Sequence, residues 1–207
     1  IARYELERRF AFDIEGFSLA AMGLGKLGGG GVDYDSDLDL VMVFDNTQVQ
    51  PAVKDEITLL EFYTRAVEIF VNTLSAMTRD GSLYRVDLRL RPHGKDGAIA
   101  ISHTAFAEYM RTKSAVWELL AFVKLRGVGG NLGIAKSVEA EIREIIHAKA
   151  KKIDPDELSA ETRRIRMSLE KRRSDARRRF DIDIKYGQGG MLDIYFAIRF
   201  LQLRDYV

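Results

Sequence analysis

The chain has 207 residues, of which 46% are hydrophobic and 30% charged, with a formal net charge of +1 and no cysteine. This composition supports a buried core in one large or two small domains, and it provides no global attraction to nucleic acid or anionic membranes. It excludes disulfides and thiolate metal sites, and no apolar run reaches the roughly 18 residues that cross a bilayer. Because the chain begins at Ile1 and shows no signal peptide, we expect a piece of a longer protein.

The first half of the chain is predicted to contain strands and turns around one long helix. Apolar periodicity and turn residues define these elements. They are a helix over 1–11, strands over 17–23 and 37–44 on either side of a glycine-rich turn, a helix over 53–78, a strand over 83–92 and an edge strand over 98–101.

The second half is predicted to be helical. Ser102 or Thr104 is a candidate cap for the first of these helices, and Asp154-Pro155 is a helix-opening pair. The predicted helices cover 104–112, 114–126, 132–152, 159–180 and 191–204. The fold class is therefore α+β, and we expect two domains, 1–102 and 103–207.

The chemistry is concentrated where the second strand begins. Asp37 and Asp39 stand two residues apart, and alternate residues of a strand share a face. Paired carboxylates beside a glycine-rich turn are typical of a site for a divalent metal and a phosphate. A glycine hairpin with a solvated acidic turn explains the glycines, but not a charged Asp39 within an apolar strand.

Two other motifs overlap this stretch. Gly23, Gly25 and Gly28 match the G-x-G-x-x-G dinucleotide fingerprint, with Asp45 as the ribose-binding acid, but no helix follows to cross over to a parallel strand. The Asp33, Asp35 and Asp37 spacing resembles a calcium loop, yet Leu38 and Phe44 occupy its glycine and glutamate positions. Neither motif is complete.

The third strand alternates strictly between apolar and charged residues. Arg85, Asp87, Arg89 and Arg91 share one face, which is the ordinary pattern of a half-exposed strand. One acid among three arginines also suits a metal-bound triphosphate, with the acid on the metal and the cations on the phosphates.

Two later stretches carry weaker signals. The arginines of 163–179 are mostly a solvated helix face with acidic partners four residues away. The glycine-rich loop 185–190 leads into the last helix, where backbone N–H groups can hold an anion, although Asp193 is also an ordinary first-turn acid.

Four ordered motifs resemble those of the glutamine synthetase adenylyltransferases, also called glutamate–ammonia-ligase adenylyltransferases, within the DNA polymerase β-like nucleotidyltransferase superfamily. The resemblance runs from about residue 17 to the end. The motifs read GLGKLGGG…SDLDLVMVFD, LYRVDLRLRPHGKDGAI, AFAEYM…AVWELLAFVKLR and KYGQGGMLDIYF. It implies one catalytic half of a bifunctional enzyme, with a polymerase β-like domain followed by a helical domain.

The resemblance also implies the site residues. The metal-binding acids would be Asp37, Asp39 and Asp87, holding two Mg²⁺ ions, with ATP as the substrate. The nucleotide and phosphate contacts would be Gly25, Lys26, Gly28, Gly29, Ser36, Arg89, Arg91 and Lys95. The second domain would contribute Lys185, Gly189, Gly190 and Asp193. Tyr195 departs from the family pattern, which usually has glutamate there.

The function implied is transfer of AMP from ATP to a tyrosine hydroxyl of glutamine synthetase, in the regulation of nitrogen assimilation. Three alternatives remain: the adenylyl-removing half, which phosphorolyses AMP-tyrosine to ADP, a catalytically silent regulatory module, and a nucleotidyltransferase acting on nucleic acid. Leu192-Asp193 looks more like the transferase half. We expect a cytoplasmic protein with glutamine synthetase and a nitrogen-signalling protein as partners, and no nucleic acid or membrane partner.

Overall fold

The computed structural model describes Tyr4 and residues 16–34, 36–47, 57–79, 81–174 and 183–207. Apart from Tyr4, the predicted helix over 1–11 lies outside the described residues, as do residues 53–56 and 175–180 of two other predicted helices.

The strands form one mixed sheet in the order β3-β2-β1-β5. β1 pairs antiparallel with β2 on one side and with β5 on the other, while β3 and β4 pair parallel with two successive parts of β2. The strands are β1 Leu19–Gly23, β2 Leu38–Phe44, β3 Val86–Asp87, β4 Ala100–Ser102 and β5 Arg126–Gly130. β2 is therefore hydrogen-bonded on both edges.

Seven helices accompany the sheet in the described residues, so the class is α+β as predicted. Local signals explain several boundaries: Thr58 and Glu61 form a reciprocal capping box, and the Asp154 carboxylate accepts the N–H groups of Asp156 and Glu157 beside Pro155. The helices are α1 Gly25–Gly28, α2 Leu59–Ser75, α3 His103–Thr112, α4 Val116–Phe122, α5 Leu132–Ala150, α6 Pro155–Ser174 and α7 Met191–Asp205, with a 3₁₀ turn over Gly94–Asp96.

An aromatic cluster joins α2 to the sheet. Tyr63 is fully buried and stacks on Phe44 of β2, with ring centroids 4.4 Å apart and an interplanar angle of 7°. Phe62 meets the Tyr63 ring edge-on at 5.2 Å. The Tyr63 hydroxyl accepts the Ser18 N–H at 2.9 Å, which ties the residue before β1 to the helix. These contacts hold β1 and β2 against α2.

The chain divides into two compact units. Unit 1 comprises residues 1–110 and 124–142, and contains the sheet, α2, α3 and the first half of α5. Unit 2 comprises residues 111–123 and 143–207, and within it α4, α6 and α7 pack against one another. The division predicted from sequence, 1–102 and 103–207, stays a prediction.

The structure corrects two predicted elements. The strand predicted over 83–92 is reduced to Val86–Asp87, because the Asp87 carboxylate accepts the Arg89 N–H and the chain then turns, with the Arg91 N–H donating to the Leu88 carbonyl. The helix predicted over 114–126 ends at Phe122. Residues that were expected to end it instead form β5, whose glycines pair with β1.

Replacing Tyr63 with Phe should destabilise the chain by about 1–3 kcal/mol, because the Ser18 N–H loses its acceptor while the ring packing is retained. Urea unfolding followed by circular dichroism would measure this. The control is Tyr34→Phe, since Tyr34 is fully exposed, and it should change stability by less than about 0.5 kcal/mol. Equal midpoints for the two variants would contradict the assigned role of the hydroxyl.

Candidate functional site

The acids predicted from sequence lie side by side in unit 1. Asp39 of β2 is paired in register with Asp87 of β3, so their side chains occupy neighbouring positions on one face of the sheet. Asp37 lies two residues before Asp39, and the Leu38 N–H continues the pairing by donating to the Arg85 carbonyl at 2.8 Å.

Arginines accompany these carboxylates. Arg85 Nε donates to Asp37 Oδ1 at 2.8 Å. Arg89 forks onto Asp87, with Nε 2.9 Å from Oδ2 and the backbone N–H 2.8 Å from Oδ1. The pKa of Asp87 is lowered chiefly by this hydrogen bonding, and the pKa of Arg89 is raised by Asp87 and further by the charges of Asp37 and Asp39. One guanidinium thus interacts with all three acids.

The glycine-rich turn meets the acids at Gly25. A Cβ on Gly25 would lie 2.2 Å from Asp39 Oδ2, and its φ of +54° is in the left-handed region, so only glycine allows this approach. Lys26 donates to Asp33 Oδ2 at 2.5 Å and to Ser36 Oγ at 3.2 Å. The predicted residues Gly25, Lys26 and Ser36 therefore belong to one hydrogen-bonded turn that runs into β2.

The two other predicted phosphate cations occupy the loop after β3. Each of the three guanidinium nitrogens of Arg91 donates to a backbone carbonyl, those of Gly97, Leu88 and Lys95, at 2.8–2.9 Å. Arg91 as placed therefore holds the loop closed. Lys95 is exposed in the 3₁₀ turn. Phosphate binding by both residues stays a prediction.

A cleft of about 640 Å³ opens beside Arg85. This is within the usual range for small-molecule sites. It is lined by Val32, Asp33, Tyr34, Ser36, Ser82, Leu83, Tyr84 and Arg85. Because Arg85 also contacts Asp37, the cleft adjoins the acids.

The residues fit Mg²⁺ in donor chemistry, since carboxylate oxygens are the ligands it prefers and the charges of all three acids act on Arg89. Nevertheless, among the described residues no group of three or more acids and histidines is arranged to hold a metal ion. Guanidinium groups occupy oxygens of Asp37 and Asp87 instead. A metal that bound these oxygens would compete with the two arginines for them.

The structure does not support the dinucleotide-binding or the calcium-loop interpretation of this stretch. β1 and β2 are antiparallel, so the Gly23–Gly28 fingerprint does not belong to a parallel βαβ unit. Asp45, its candidate ribose acid, is buried and accepts the N–H and hydroxyl of Thr47. Of the calcium-loop acids, Asp33 is paired with Lys26 and Asp37 with Arg85, while Asp35 lies outside the described residues.

The four candidates from the second domain lie in unit 2. The contacts of Asp193 there hold the glycine-rich loop to a neighbouring helix. The Asp193 carboxylate accepts Arg166 Nε and the Gly189 N–H, both at 2.5 Å. Arg166 is only 7% exposed and also donates to Glu170 and to the Gly187 carbonyl. The loop containing Gly189 and Gly190 is thereby fixed to α6.

Two neighbouring aromatic residues contact cations in unit 2. Lys185 lies 5.4 Å from the Tyr186 ring centroid, and Arg199 stacks 4.5 Å over the ring of Tyr195. A glutamate in place of Tyr195 would sit four residues before Arg199, a spacing that also allows a cation partner. The tyrosine that departs from the family pattern is thus in contact with Arg199.

Two cationic residues that the sequence pattern did not single out lie beside the glycine-rich turn. Arg126, 99 residues along the chain from Leu27, donates from Nη2 to the Leu27 carbonyl at 2.8 Å. Lys124 Nζ lies 3.6 Å from where a Gly29 Cβ would be. In the sequence these two cations stand in Lys124-Leu125-Arg126, directly before a glycine-rich run. Only the pairing of β1 with β5 brings this segment to the glycine-rich turn.

Comparison with known proteins now decides the family. The family model of glutamate-ammonia ligase adenylyltransferase matches residues 8–141. The chain belongs to this family. The match covers β1 to the first part of α5, including all three acids and the glycine-rich turn.

The relatives described here share one name with one another. Proteins called bifunctional glutamine synthetase adenylyltransferase/adenylyl-removing enzyme are 32% identical over 91% of this chain in Bartonella quintana, 35% over 89% in Chromobacterium violaceum and 34% over 94% in Methylococcus capsulatus. The aligned part is 19%, 19% and 20% of the respective relative. The adenylyltransferase-family chain thus spans about a fifth of the length of these curated relatives. No helix in its described ranges is both long and apolar enough to cross a membrane.

Asp193→Asn should lower the melting temperature of this chain at about pH 7, because the buried Arg166 loses a charged partner. The pKa of Asp193 is lowered by Arg166 first and then by the Gly189 N–H. Such a carboxylate stabilises the fold above its unfolded pKa of about 3.9 and ceases to do so as the pH falls through its folded value. The difference between wild type and variant should therefore be full near pH 7 and vanish toward about pH 2.

The matched control for this experiment is Asp205→Asn, which breaks an exposed pair with Arg204 and should leave the melting temperature nearly unchanged. If Asp193→Asn melted with the wild type at every pH, the Arg166 pair would not be what holds the loop.

Proposed function

We propose that this chain is a catalytic half that transfers AMP from ATP to a tyrosine hydroxyl of glutamine synthetase and so regulates nitrogen assimilation. One observation carries the proposal: Asp39 and Asp87 are paired across parallel strands while Gly25 of the glycine-rich turn lies against the Asp39 carboxylate. In a member of the adenylyltransferase family, such a site suits a metal-bound nucleotide.

The proposal includes the finer architecture. Unit 1 would have the polymerase β-like nucleotidyltransferase fold, and the helical domain would follow it along the chain. We further propose that the reaction takes place in the cytoplasm and that a nitrogen-signalling protein regulates the full-length enzyme.

The chain's own residues would bind and orient the reactants. Asp37, Asp39 and Asp87 would hold Mg²⁺, which when bound neutralises phosphate charge and lowers the pKa of a coordinated hydroxyl. The tyrosine oxygen attacks the α-phosphorus, the bond to the β-phosphate breaks, and pyrophosphate leaves. Tyrosine has a pKa near 10, so its proton must pass to a base as the new bond forms. A carboxylate of this cluster would accept that proton as the general base, and the charge of a bound cation would favour its loss.

Arg89 would change partners when nucleotide binds. Its guanidinium is hydrogen-bonded to Asp87, and the charges of Asp37 and Asp39 act on it as well. It would therefore lie where the phosphate oxygens of a metal-bound nucleotide approach. Its side chain is 79% exposed, which leaves it room to move. Exchange of the carboxylate for a phosphate keeps a bidentate, charge-assisted contact. Arg85, also exposed and paired with Asp37, can move in the same way.

The test is incubation of this chain with Mg²⁺, ATP labelled at the α-phosphate and unmodified glutamine synthetase, with label on the synthetase as the readout. Asp39→Asn should reduce labelling by more than about a hundredfold, because even outer-shell partners of a metal are worth tenfold to a hundredfold. Glu68→Gln, which changes an exposed acid of α2 in the same unit, is the matched control and should label like the wild type.

Unlabelled synthetase would overturn the transferase assignment. The same residues could serve the reverse chemistry, in which inorganic phosphate attacks AMP-tyrosine and ADP leaves, so adenylylated synthetase with added phosphate is the second substrate to test. ADP release that requires Asp39 would establish the removing half. No turnover in either direction by the folded chain would favour a silent module, with Arg85 and Arg89 neutralising its acids.

Arg89→Gln should bind Mn²⁺, a paramagnetic stand-in for Mg²⁺, about threefold to tenfold more tightly, because the guanidinium no longer competes for the Asp87 carboxylate. The same variant should bind ATP more weakly. Electron paramagnetic resonance titration gives the metal affinity, and Arg79→Gln, an exposed arginine of unit 1, serves as the control. Unchanged Mn²⁺ affinity would show that Arg89 and the metal do not share a ligand.

A further inference from the structure

The segment between α4 and β5 is in backbone contact with the glycine-rich turn. A Cβ on Gly28 would lie 2.2 Å from the Lys124 carbonyl oxygen and 2.9 Å from that of Gly23. Gly23 in turn is paired with Arg126 in the β1–β5 ladder. The sheet therefore fixes Lys124 and Arg126 at the end of β1 from which the turn departs.

The N–H groups of the turn are largely used inside it. Those of Gly28, Gly29, Gly30 and Gly31 donate to the carbonyls of Leu24, Gly25, Leu27 and Lys26 at 2.8–3.4 Å. An anion lying on this part of the turn would find few amide donors pointing outward. Attraction for a phosphate has to come from side chains nearby.

Three cationic side chains lie around the turn. Lys26 belongs to it, Lys124 Nζ lies 3.6 Å from the Cβ position of Gly29, and Arg126 Nη1 lies 3.7 Å from that of Gly30. Among the described residues, no heavy atom lies within 4 Å of the Cβ position of Gly31. Because Lys26 is paired with Asp33, the positive charge beside Gly29 and Gly30 comes from Lys124 and Arg126.

We propose that Lys124 and Arg126 bind the terminal phosphates of a nucleoside triphosphate, or the free pyrophosphate and tripolyphosphate anions of the same chemistry. The turn begins at Gly25 against Asp39 and continues to Gly29 and Gly30 beside the two cations. A polyphosphate chain laid along it has its first phosphate near the acids and its last ones between Lys124 and Arg126. Placing that polyphosphate in ATP rests on the proposed function, whereas the anion site itself does not.

Lys124 and Arg126 would thus bind the anion from a segment that is far from the glycine-rich turn along the chain. Arg126 already donates one hydrogen to the Leu27 carbonyl, which orients its guanidinium toward the turn. A guanidinium has five N–H donors, so this bond leaves donors for an anion. Lys124 contributes a compact charge that follows the phosphates without a fixed geometry.

The experiment is isothermal titration calorimetry of inorganic tripolyphosphate, ATP and adenosine into this chain and its Lys124→Met and Arg126→Lys variants. Lys124→Met should weaken binding of tripolyphosphate and ATP by about tenfold to a hundredfold, the range of a charge-assisted hydrogen bond, and leave adenosine unchanged. Arg126→Lys keeps the charge but loses the fork, so it should weaken both by less. Lys136→Met, an exposed lysine of unit 1 on α5, is the control and should bind all three ligands like the wild type.

Melting curves check that each variant is folded, and Lys124→Gln replaces Lys124→Met if the latter does not fold. Wild-type affinity for tripolyphosphate and ATP in the folded Lys124 variant overturns the proposal, as does a wild-type chain that binds neither. If that chain still labels glutamine synthetase, the function survives the loss of this site. If instead Lys124 governs tripolyphosphate binding in a chain that transfers no AMP, the anion site stands and the transferase assignment fails.

Discussion

The placement of Asp39 opposite Asp87 is the constraint around which unit 1 is built. Like charges directly across two strands repel each other, and the register of β2 and β3 allows no escape along the sheet. The structure offsets this repulsion with a guanidinium: Arg89 bonds to Asp87 and interacts with the other two acids. The carboxylates of this site are therefore balanced by an arginine side chain of the same segment.

Asp39 stays opposite Asp87 only if β2 keeps its register in the sheet. β2 is paired along both edges, and residues 40–44 are fully buried. Tyr63 stacks on Phe44 at the far end of the strand from Asp39, and its hydroxyl holds the chain before β1. Asp39 therefore lies at one end of β2, and the other end of this strand is fixed in the core. A rigid strand of this kind holds a side chain in a defined position.

Sequence reasoning succeeded where local signals and tertiary packing agree. The strands at 19–23 and 38–44 and the helices beginning at Leu59, His103, Leu132 and Met191 follow from apolar periodicity and recognisable caps. It failed where a side chain or a distant strand changes the local outcome. Alternation favoured a strand to residue 92, but the Asp87 carboxylate bends the chain at Arg89. The glycines after residue 126 were interpreted as the end of a helix that in fact ends at Phe122, because nothing local indicated that β1 would pair with them.

The candidate site shows the same division between local and distant causes. Strand alternation placed Asp37 beside Asp39. Asp87 was selected as a lone acid among arginines and was grouped with the other two acids by the family resemblance, but its pairing with Asp39 became known only from the register. Alternation placed Arg91 among the predicted phosphate ligands, and this stays a prediction. The contacts of its guanidinium with three carbonyls of its own loop could not be foreseen from alternation. Lys124 and Arg126 could not be found from sequence, because their relation to the turn exists only through the ladder between β1 and β5.

Glycine richness by itself says little about anion binding in this chain. Gly25 and Gly28 are needed because Asp39 and the Lys124 carbonyl lie where a side chain would be, and in unit 2 the loop before α7 is drawn in by Arg166 through Asp193 and Gly187. In the first turn, four successive amides are satisfied internally. A glycine-rich loop can thus be selected for close approach of other groups, and the charge that attracts a ligand must then be sought on the segments that approach it.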